Sequence, residues 1–265
     1  ELKSVIRTEL IETQETYGDD RRTEIVEFYS DLTDEDLIPE EDLIVTLSKE
    51  GYAKTQPLDT YQAQNRGGTG KRAASLKDED FVSKLFIANT HDTLLCFSSY
   101  GKVYWIKVYR LPRGGRNAKG RPIVNLLPLE KDERIQAVLP VKEFNDDQFI
   151  FMATETGSVK KTKLSAYSRP MKSGIKAIKL RDGDRVVNAE ITDGSKEIML
   201  FSNSGKSIRF KETDARPMGR VSQGVRGMRI EKDQKIISLV VLEEGNILVA
   251  TKNGYGKQTL KDEFS

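Results

Sequence analysis

The sequence predicts an all-β fold, a propeller-type array of repeated blades preceded by one α-helix and an acidic linker. Three observations carry that prediction. An apolar strand followed by a glycine turn recurs at Gly51, Gly101, Gly157, Gly205 and Gly254, at intervals of 50, 56, 48 and 49 residues. Helical periodicity is missing from residue 41 onward, where short runs of Val, Ile and Leu alternate with turns of Gly, Asp, Asn and Ser. Repeats of about 40 to 50 residues with about four strands apiece are the pattern of a propeller, in which each blade buries its faces only against its neighbours.

The elements follow in order. "LKSVIRTELIETQETYG" places Leu2, Val5, Ile6, Leu10 and Ile11 at helical spacing, with Gly18 just past the last turn, so residues 1–22 read as helical. Residues 23–40 are acidic and proline-interrupted, a linker with a short strand at 24–28. The β region runs from 41 to 265, in units of about 41–89, 90–145, 146–194 and 195–245 and the start of another at 246–265. A second glycine lies 19, 19, 17 and 19 residues after the first in four units, at Gly70, Gly120, Gly174 and Gly224, and six residues later comes Leu76, Leu126, Leu180 or Ile230. A third apolar stretch closes each unit, as in "RIQAVLPV" and "RVVNAEIT".

Composition narrows the function classes. Cys96 is the only cysteine, so neither an intrachain disulfide nor a thiolate zinc site can be assembled. No apolar run approaches the length of a membrane span, and the expectation is a soluble, cytoplasmic chain without a membrane partner. The net charge of +2 hides a division: residues 1–42 carry net −11 and residues 43–265 net +13. The excess follows the repeat. The spans from first glycine to closing Leu or Ile (51–76, 101–126, 157–180 and 205–230) hold 25 basic side chains and three acidic ones, Asp59, Glu212 and Asp214. Stacked blades should therefore align these elements into a continuous, curved basic track, suited to the phosphates of double-stranded DNA. Bending a short duplex along such a rim costs on the order of 1–6 kcal/mol, which many phosphate contacts must offset. The rim candidates are Arg113, Arg116, Lys119, Arg121, Arg169, Lys172, Lys176, Arg216, Arg220 and Arg226. No Arg, Asn and Gln set is arranged to read base edges, so binding through backbone and deformability is expected.

"QNRGGTGKR" at 64–72 looks like a phosphate cradle, yet it is not a mononucleotide loop. The G-x-x-x-x-G-K-[ST] pattern would need glycine where Asn65 stands and a hydroxyl where Arg72 stands, and the segment opens no helix. What remains is a Gly-rich loop with three cations, Arg66, Lys71 and Arg72. His91, Asp92 and Cys96 invite a nucleophile reading, but the first two fall in a turn and the third in an apolar strand. Tyr104, Trp105 and Tyr109 could stack on bases, although strand aromatics more often fill a core or rim. No catalytic or metal-binding residue is expected.

"DLIVTLSKEGYAKTQPL", "FIANTHDTLLCFSSYGKVYWIKVYRLP", "GRPIVNLLPLEKDERI" and "ARPMGRVSQGVRGM" resemble the family of DNA gyrase A C-terminal domains, and the resemblance spans essentially the whole sequence. In that family Q-R-R-G-G-R-G in the first blade is called the GyrA box. Here it stands as Gln64, Asn65, Arg66, Gly67, Gly68, Thr69, Gly70, with five of seven positions matching and two arginines replaced. The resemblance implies a six-bladed β-pinwheel whose blades exchange strands and whose last part is missing from this sequence. It also implies DNA wrapping on the rim, with the box loop (Gln64 to Gly70, extended here by Lys71 and Arg72) binding DNA and closing the ring. Residues 1–22 resemble the end of the cleavage and religation domain. The implied partners are duplex DNA, gyrase B in an A2B2 heterotetramer, and the N-terminal domain of gyrase A itself. The chain would need no cofactor of its own, because ATP, magnesium and the catalytic tyrosine belong elsewhere in a type II topoisomerase that supercoils DNA negatively. The topoisomerase IV counterpart is the near alternative. A protein-interaction propeller of WD40 type is a remoter one, since the repeats lack its Trp-Asp signature.

Overall fold

A computed structural model describes residues 2–23, 25, 33, 35–60, 80–115, 118–251 and 253–264. The box, Gln64 to Gly70, with Lys71 and Arg72, the linker strand expected at 24–28 (of which only Ile25 is described) and Arg116 lie outside these residues. The chain divides into two units, 1–38 and 39–265.

The first unit holds helix α1 (Leu2–Tyr17). It ends where the Gly18 amide donates to the Gln14 carbonyl at 2.8 Å, and a Cβ on Gly18 would stand 2.3 Å from that same oxygen. No described helix is long and apolar enough to cross a membrane.

The second unit is all β with short 3-10 turns. Its strands in chain order are β1 (Asp42–Ser48), β2 (Tyr52–Pro57), β3 (Val82–Asn89), β4 (Thr93–Ser98), β5 (Lys102–Lys107), β6 (Arg121–Pro122), β7 (Ile135–Val141), β8 (Phe149–Thr154) and β9 (Ser158–Lys163). They continue as β10 (Ile175–Lys176), β11 (Val186–Thr192), β12 (Glu197–Ser202), β13 (Ser207–Lys211), β14 (Val225–Arg226), β15 (Ile236–Leu242), β16 (Asn246–Ala250) and β17 (Gly256–Leu260). Three sheets have four strands, in the orders β3-β1-β2-β6, β10-β5-β4-β7 and β11-β8-β9-β14; a fourth is β13-β12-β15, and β16-β17 form a hairpin. This is the propeller-like arrangement the repeat predicts. The described residues account for four blade sheets and one further hairpin; the count of six belongs to the resemblance.

The sheet orders show the strand exchange. β6, β10 and β14 each belong by sequence to one repeat, yet each pairs with the hairpin of the repeat before it: Tyr52 with Pro122, Val103 with Ile175, Val159 with Val225. Two glycines make this possible. The anchor glycines turn the hairpin with positive φ (Gly51 85°, Gly101 73°, Gly157 84°), and their carbonyls then accept from the incoming segment: Ile123 to Gly51 at 2.7 Å, Ala177 to Gly101 at 2.8 Å, Gly227 to Gly157 at 2.8 Å. The second glycine passes against the hairpin too closely for any side chain. A Cβ on Gly120 would lie 2.4 Å from the Ala53 carbonyl oxygen, and one on Gly224 2.4 Å from that of Val159.

The apolar core lies between blades. One cluster joins Val45 and Ala53 of the first blade to Leu94, Cys96 and Val138 of the second; another joins Leu95 and Phe97 to Ile150 and Met152 of the third; a third joins Phe151 to Ile198 and Leu200 of the fourth. β11 approaches both β7 and β15, so these strands lie toward the inside of the array. The exchanged strands take the opposite edge of their sheets. That edge carries the cations of interest.

Candidate nucleic-acid interface

Each basic span has two halves, the hairpin strand that follows the anchor glycine and the exchange segment beyond it. The structure treats their charges differently.

The hairpin cations are largely committed to the protein. Lys54 and Lys160, each three residues after its anchor glycine, are 2% and 0% exposed, and Lys161 is 4% exposed. Burial is tolerated because every ammonium finds oxygen. Lys54 Nζ donates to the carbonyls of Gly115 (3.2 Å) and Ala118 (3.0 Å), and Lys160 Nζ to those of Ala177 (2.5 Å) and Arg220. Desolvation, aided by the charge of Arg220, pushes Lys160 down to about 7, and desolvation lowers Lys54 as well. Lys161 Nζ donates to the Glu212 carbonyl at 3.0 Å and lies 3.9 Å from its carboxylate, which is itself fully buried and accepts from Thr192 Oγ1 at 2.5 Å and the Lys196 amide at 3.1 Å. Four surface hairpin cations are paired: Lys102 with Glu130 at 2.5 Å, Lys163 with Asp146 at 3.6 Å, Lys206 with Glu231 at 2.7 Å, Arg209 with Glu197 at 2.6 Å; Lys211, at the end of β13, is exposed without an ion pair among the described residues. The Glu197 carboxyl is held below its ordinary range, first by the hydrogen bond from Arg209.

A recurring bond staples each blade to the next. The residue four after the anchor glycine donates to a carbonyl at the 3-10 turn of the following repeat: Trp105 Nε1 to Tyr167 (2.9 Å), Lys161 Nζ to Glu212 (3.0 Å), Arg209 Nη1 to Lys261 (2.9 Å). In the first repeat the backbone amide of Thr55 does this, to Pro112 at 2.9 Å. So Trp105 has its indole N–H occupied, and Tyr104 is buried with its hydroxyl on Glu133 at 3.1 Å. Tyr109, half-buried, carries Arg110 over its ring at 6.0 Å. Base stacking is left without Tyr104.

The exchange segments behave otherwise. Arg121, Arg169, Lys172, Lys176, Arg216 and Arg226 are exposed, and none has an ion-pair partner among the described residues. Lys119 lies over the Tyr52 ring at 5.3 Å, and Arg220 is half-buried. Arg113 departs from the expected set, because it pairs with Glu41 and its charge is partly neutralised. Sequence reasoning missed Lys179 and Arg229, which extend the same segments and are also exposed; their place inside the basic spans was the available signal. Exposed, uncompensated cations at one edge of three consecutive blades can neutralise a polyanion without first breaking an internal pair.

The nucleophile reading fails on geometry. The Cys96 thiol is fully buried and pushed up to about 12 by desolvation, His91 faces Glu40 at 3.7 Å, and Asp92 accepts from the Asn89 amide at 2.9 Å. Among the described residues no group of three or more His, Cys, Asp and Glu could hold a metal ion.

Comparison with known proteins agrees with the repeat. The model of the DNA gyrase C-terminal domain, beta-propeller, matches residues 42–89, 92–142, 148–193, 196–243 and 245–265, nearly one match per repeat. DNA gyrase A of Salmonella typhimurium is 54% identical over 99% of this chain and 30% of its own length. The chain thus spans about a third of the curated relatives it matches. A crystal structure of the C-terminal domain of DNA topoisomerase IV is 32% identical with a TM-score of 0.73, over 86% of this chain and 70% of that one. A structure of a DNA gyrase A C-terminal domain is 29% identical with a TM-score of 0.67, over 85% and 73%. By its repeats, its exchanged strands and the family match along all five of them, this chain belongs to the family of DNA gyrase C-terminal domains.

Proposed function

We propose that the chain binds duplex DNA along its exchange segments and wraps it, serving as the C-terminal domain of a gyrase A protein. The observation that carries this reading is the row of exposed cations, without ion-pair partners among the described residues, at one edge of three consecutive blades. Phosphates meeting Arg121, Lys176 and Arg226 in turn would release counterions at each blade, and the repeated contacts offset the elastic cost of bending. Arg113, Lys119, Arg169, Lys172, Arg216 and Arg220 flank that row, and the box at Gln64 to Gly70, with Lys71 and Arg72, supplies a further contact. In the whole enzyme, wrapping would present a crossing segment to the cleavage core and so bias strand passage toward negative supercoils. ATP hydrolysis would fall to gyrase B in an A2B2 assembly in the bacterial cytoplasm, on the nucleoid, and this domain would need no cofactor.

The likeness to a topoisomerase IV domain keeps a second reading in view, in which the domain selects DNA crossings without strong wrapping. The 54% identity to a curated gyrase A along nearly all of this chain and the five retained box positions favour the first. Relaxing closed DNA circles with a nicking and closing enzyme in the presence of the chain tests both. Wrapping predicts a linking-number shift that grows with bound protein. A shift near zero despite saturated binding would favour the second reading, and no salt-sensitive binding would remove both.

A further inference from the structure

We infer that Lys54 and Lys160 are positioning residues, which touch no DNA and instead hold the exchange loops of successive blades at a fixed spacing. The inference rests on the DNA-binding reading of those loops. Both lysines stand three residues after an anchor glycine, on the second strand of their hairpins, and both are almost wholly buried. Neither Nζ can reach a phosphate. Each instead bridges carbonyls that only loop closure brings together. Lys54 gathers the carbonyls of Gly115 and Ala118, two residues already joined by the Ala118 amide donating to the Gly115 carbonyl at 3.0 Å.

Lys160 reaches further. Ala177 belongs to the exchange segment laid on the second blade, and Arg220 to the loop leading onto the third. One amino group therefore ties together two consecutive elements of the basic edge. A second bond supports the same junction, from the Lys179 amide to the Ser222 carbonyl at 3.1 Å. A single-point tie between adjacent loops fixes how far one set of cations lies from the next, and that spacing decides whether a duplex meets both without further bending. The second repeat replaces this lysine with Tyr104, whose ring packs where a Cβ on Gly174 would come within 2.5 Å. There the loop is held by ring packing rather than by an amino group.

The test uses the full chain carrying Lys160→Met, which keeps the volume and removes the donor, with Lys54→Met as an independent second variant and Arg226→Ala as the surface control. Amide hydrogen exchange is read at Lys179, Met218 and Ser222, whose amides are hydrogen-bonded in the tied loops, against strand residues Met152 and Ala153. Positioning predicts at least tenfold faster loop exchange in Lys160→Met with the strands still protected, and a linking-number shift on closed circles reduced by half or more. The slope of log affinity against log salt should stay within about 0.3 of the parent, whereas Arg226→Ala lowers it by about 1. Unchanged loop exchange, or a slope that falls by about 1 in Lys160→Met, would overturn the inference. If the parent chain gives no linking-number shift, the wrapping reading fails, and the exchange data still decide whether the lysines position the loops. If Lys160→Met does not fold, Lys54→Met carries the same test in the first blade, at the hydrogen-bonded amides of Gly114 and Ala118.

Discussion

The hairpin half and the exchange half of a repeat are both rich in Lys and Arg, yet their cations have different fates. In the hairpins most are buried on carbonyls, as Lys54 and Lys160 are, or paired, as Lys102 and Arg209 are, with Lys211 the exception. In the exchange segments Arg121, Lys176, Arg216 and Arg226 stand exposed without an ion-pair partner among the described residues. The difference teaches that a basic span is not a basic surface. A charge held by the fold is committed to internal oxygens, and only the remainder is offered to a partner.

That comparison can be broken at several points. The largest expected effect is on the buried pair of the third hairpin. Lys161→Met leaves the Glu212 carboxylate buried without its cation and should destabilise the chain by about 3–5 kcal/mol in urea unfolding. The salt dependence of DNA binding should scarcely move. Glycines sharpen the contrast next. Gly224→Ala combines a left-handed φ of 86° with a clash against the Val159 carbonyl, at about 1–2 and about 1–3 kcal/mol respectively. Gly205→Ala, with a φ of 79° and nothing within 4 Å of its Cβ, should show the first contribution alone.

A pH dependence follows from Lys160. Its amine is pushed from the ordinary 10.5 to about 7 in the folded chain, so below pH 7 both states hold the proton and the burial cost is fully present. Between about 7 and 10.5 the unfolded chain holds a proton that the folded one has lost, and stability should rise with pH by at most about 1.4 kcal/mol per unit. The stability difference between the parent and Lys160→Met should change with that slope across pH 7.5 to 9.5. The smallest effect belongs to the exposed hairpin pair. Lys206→Ala should shift Tm by less than about 1 °C, because solvent and salt screen its contact with Glu231.

Much of the fold was legible because its signals are periodic. Gly51, Gly101, Gly157, Gly205 and Gly254 mark left-handed turns, and the turn chemistry demands glycine at the same place in each repeat. The strand exchange was not legible from the residues themselves. β6, β10 and β14 are two residues long, too short to show alternation, and came into view only through the family resemblance. The basic edge was legible in outline, since Arg121, Lys176 and Arg226 fall where the repeat places them. Its pairing was not. Glu41 lies 72 positions from Arg113, and Glu190 lies in a different sheet from Lys84, whose amine is lowered chiefly by desolvation while Glu190 raises it. Counting charge along the sequence cannot register such partners, nor the inward turn of Lys54 and Lys160.

The most direct test of the account compares two fourfold variants. One replaces exchange cations, Arg169, Lys176, Arg216 and Arg226, by alanine; the other replaces hairpin cations, Lys102, Lys163, Lys206 and Arg209. Duplex affinity is measured across a range of salt, with unfolding followed in parallel to verify that both variants are folded. The account predicts that the exchange variant loses about 3–4 from the slope of log affinity against log salt, and the hairpin variant less than about 1. Equal losses in the two would show that the whole basic span meets DNA, and would contradict the division on which this reading rests.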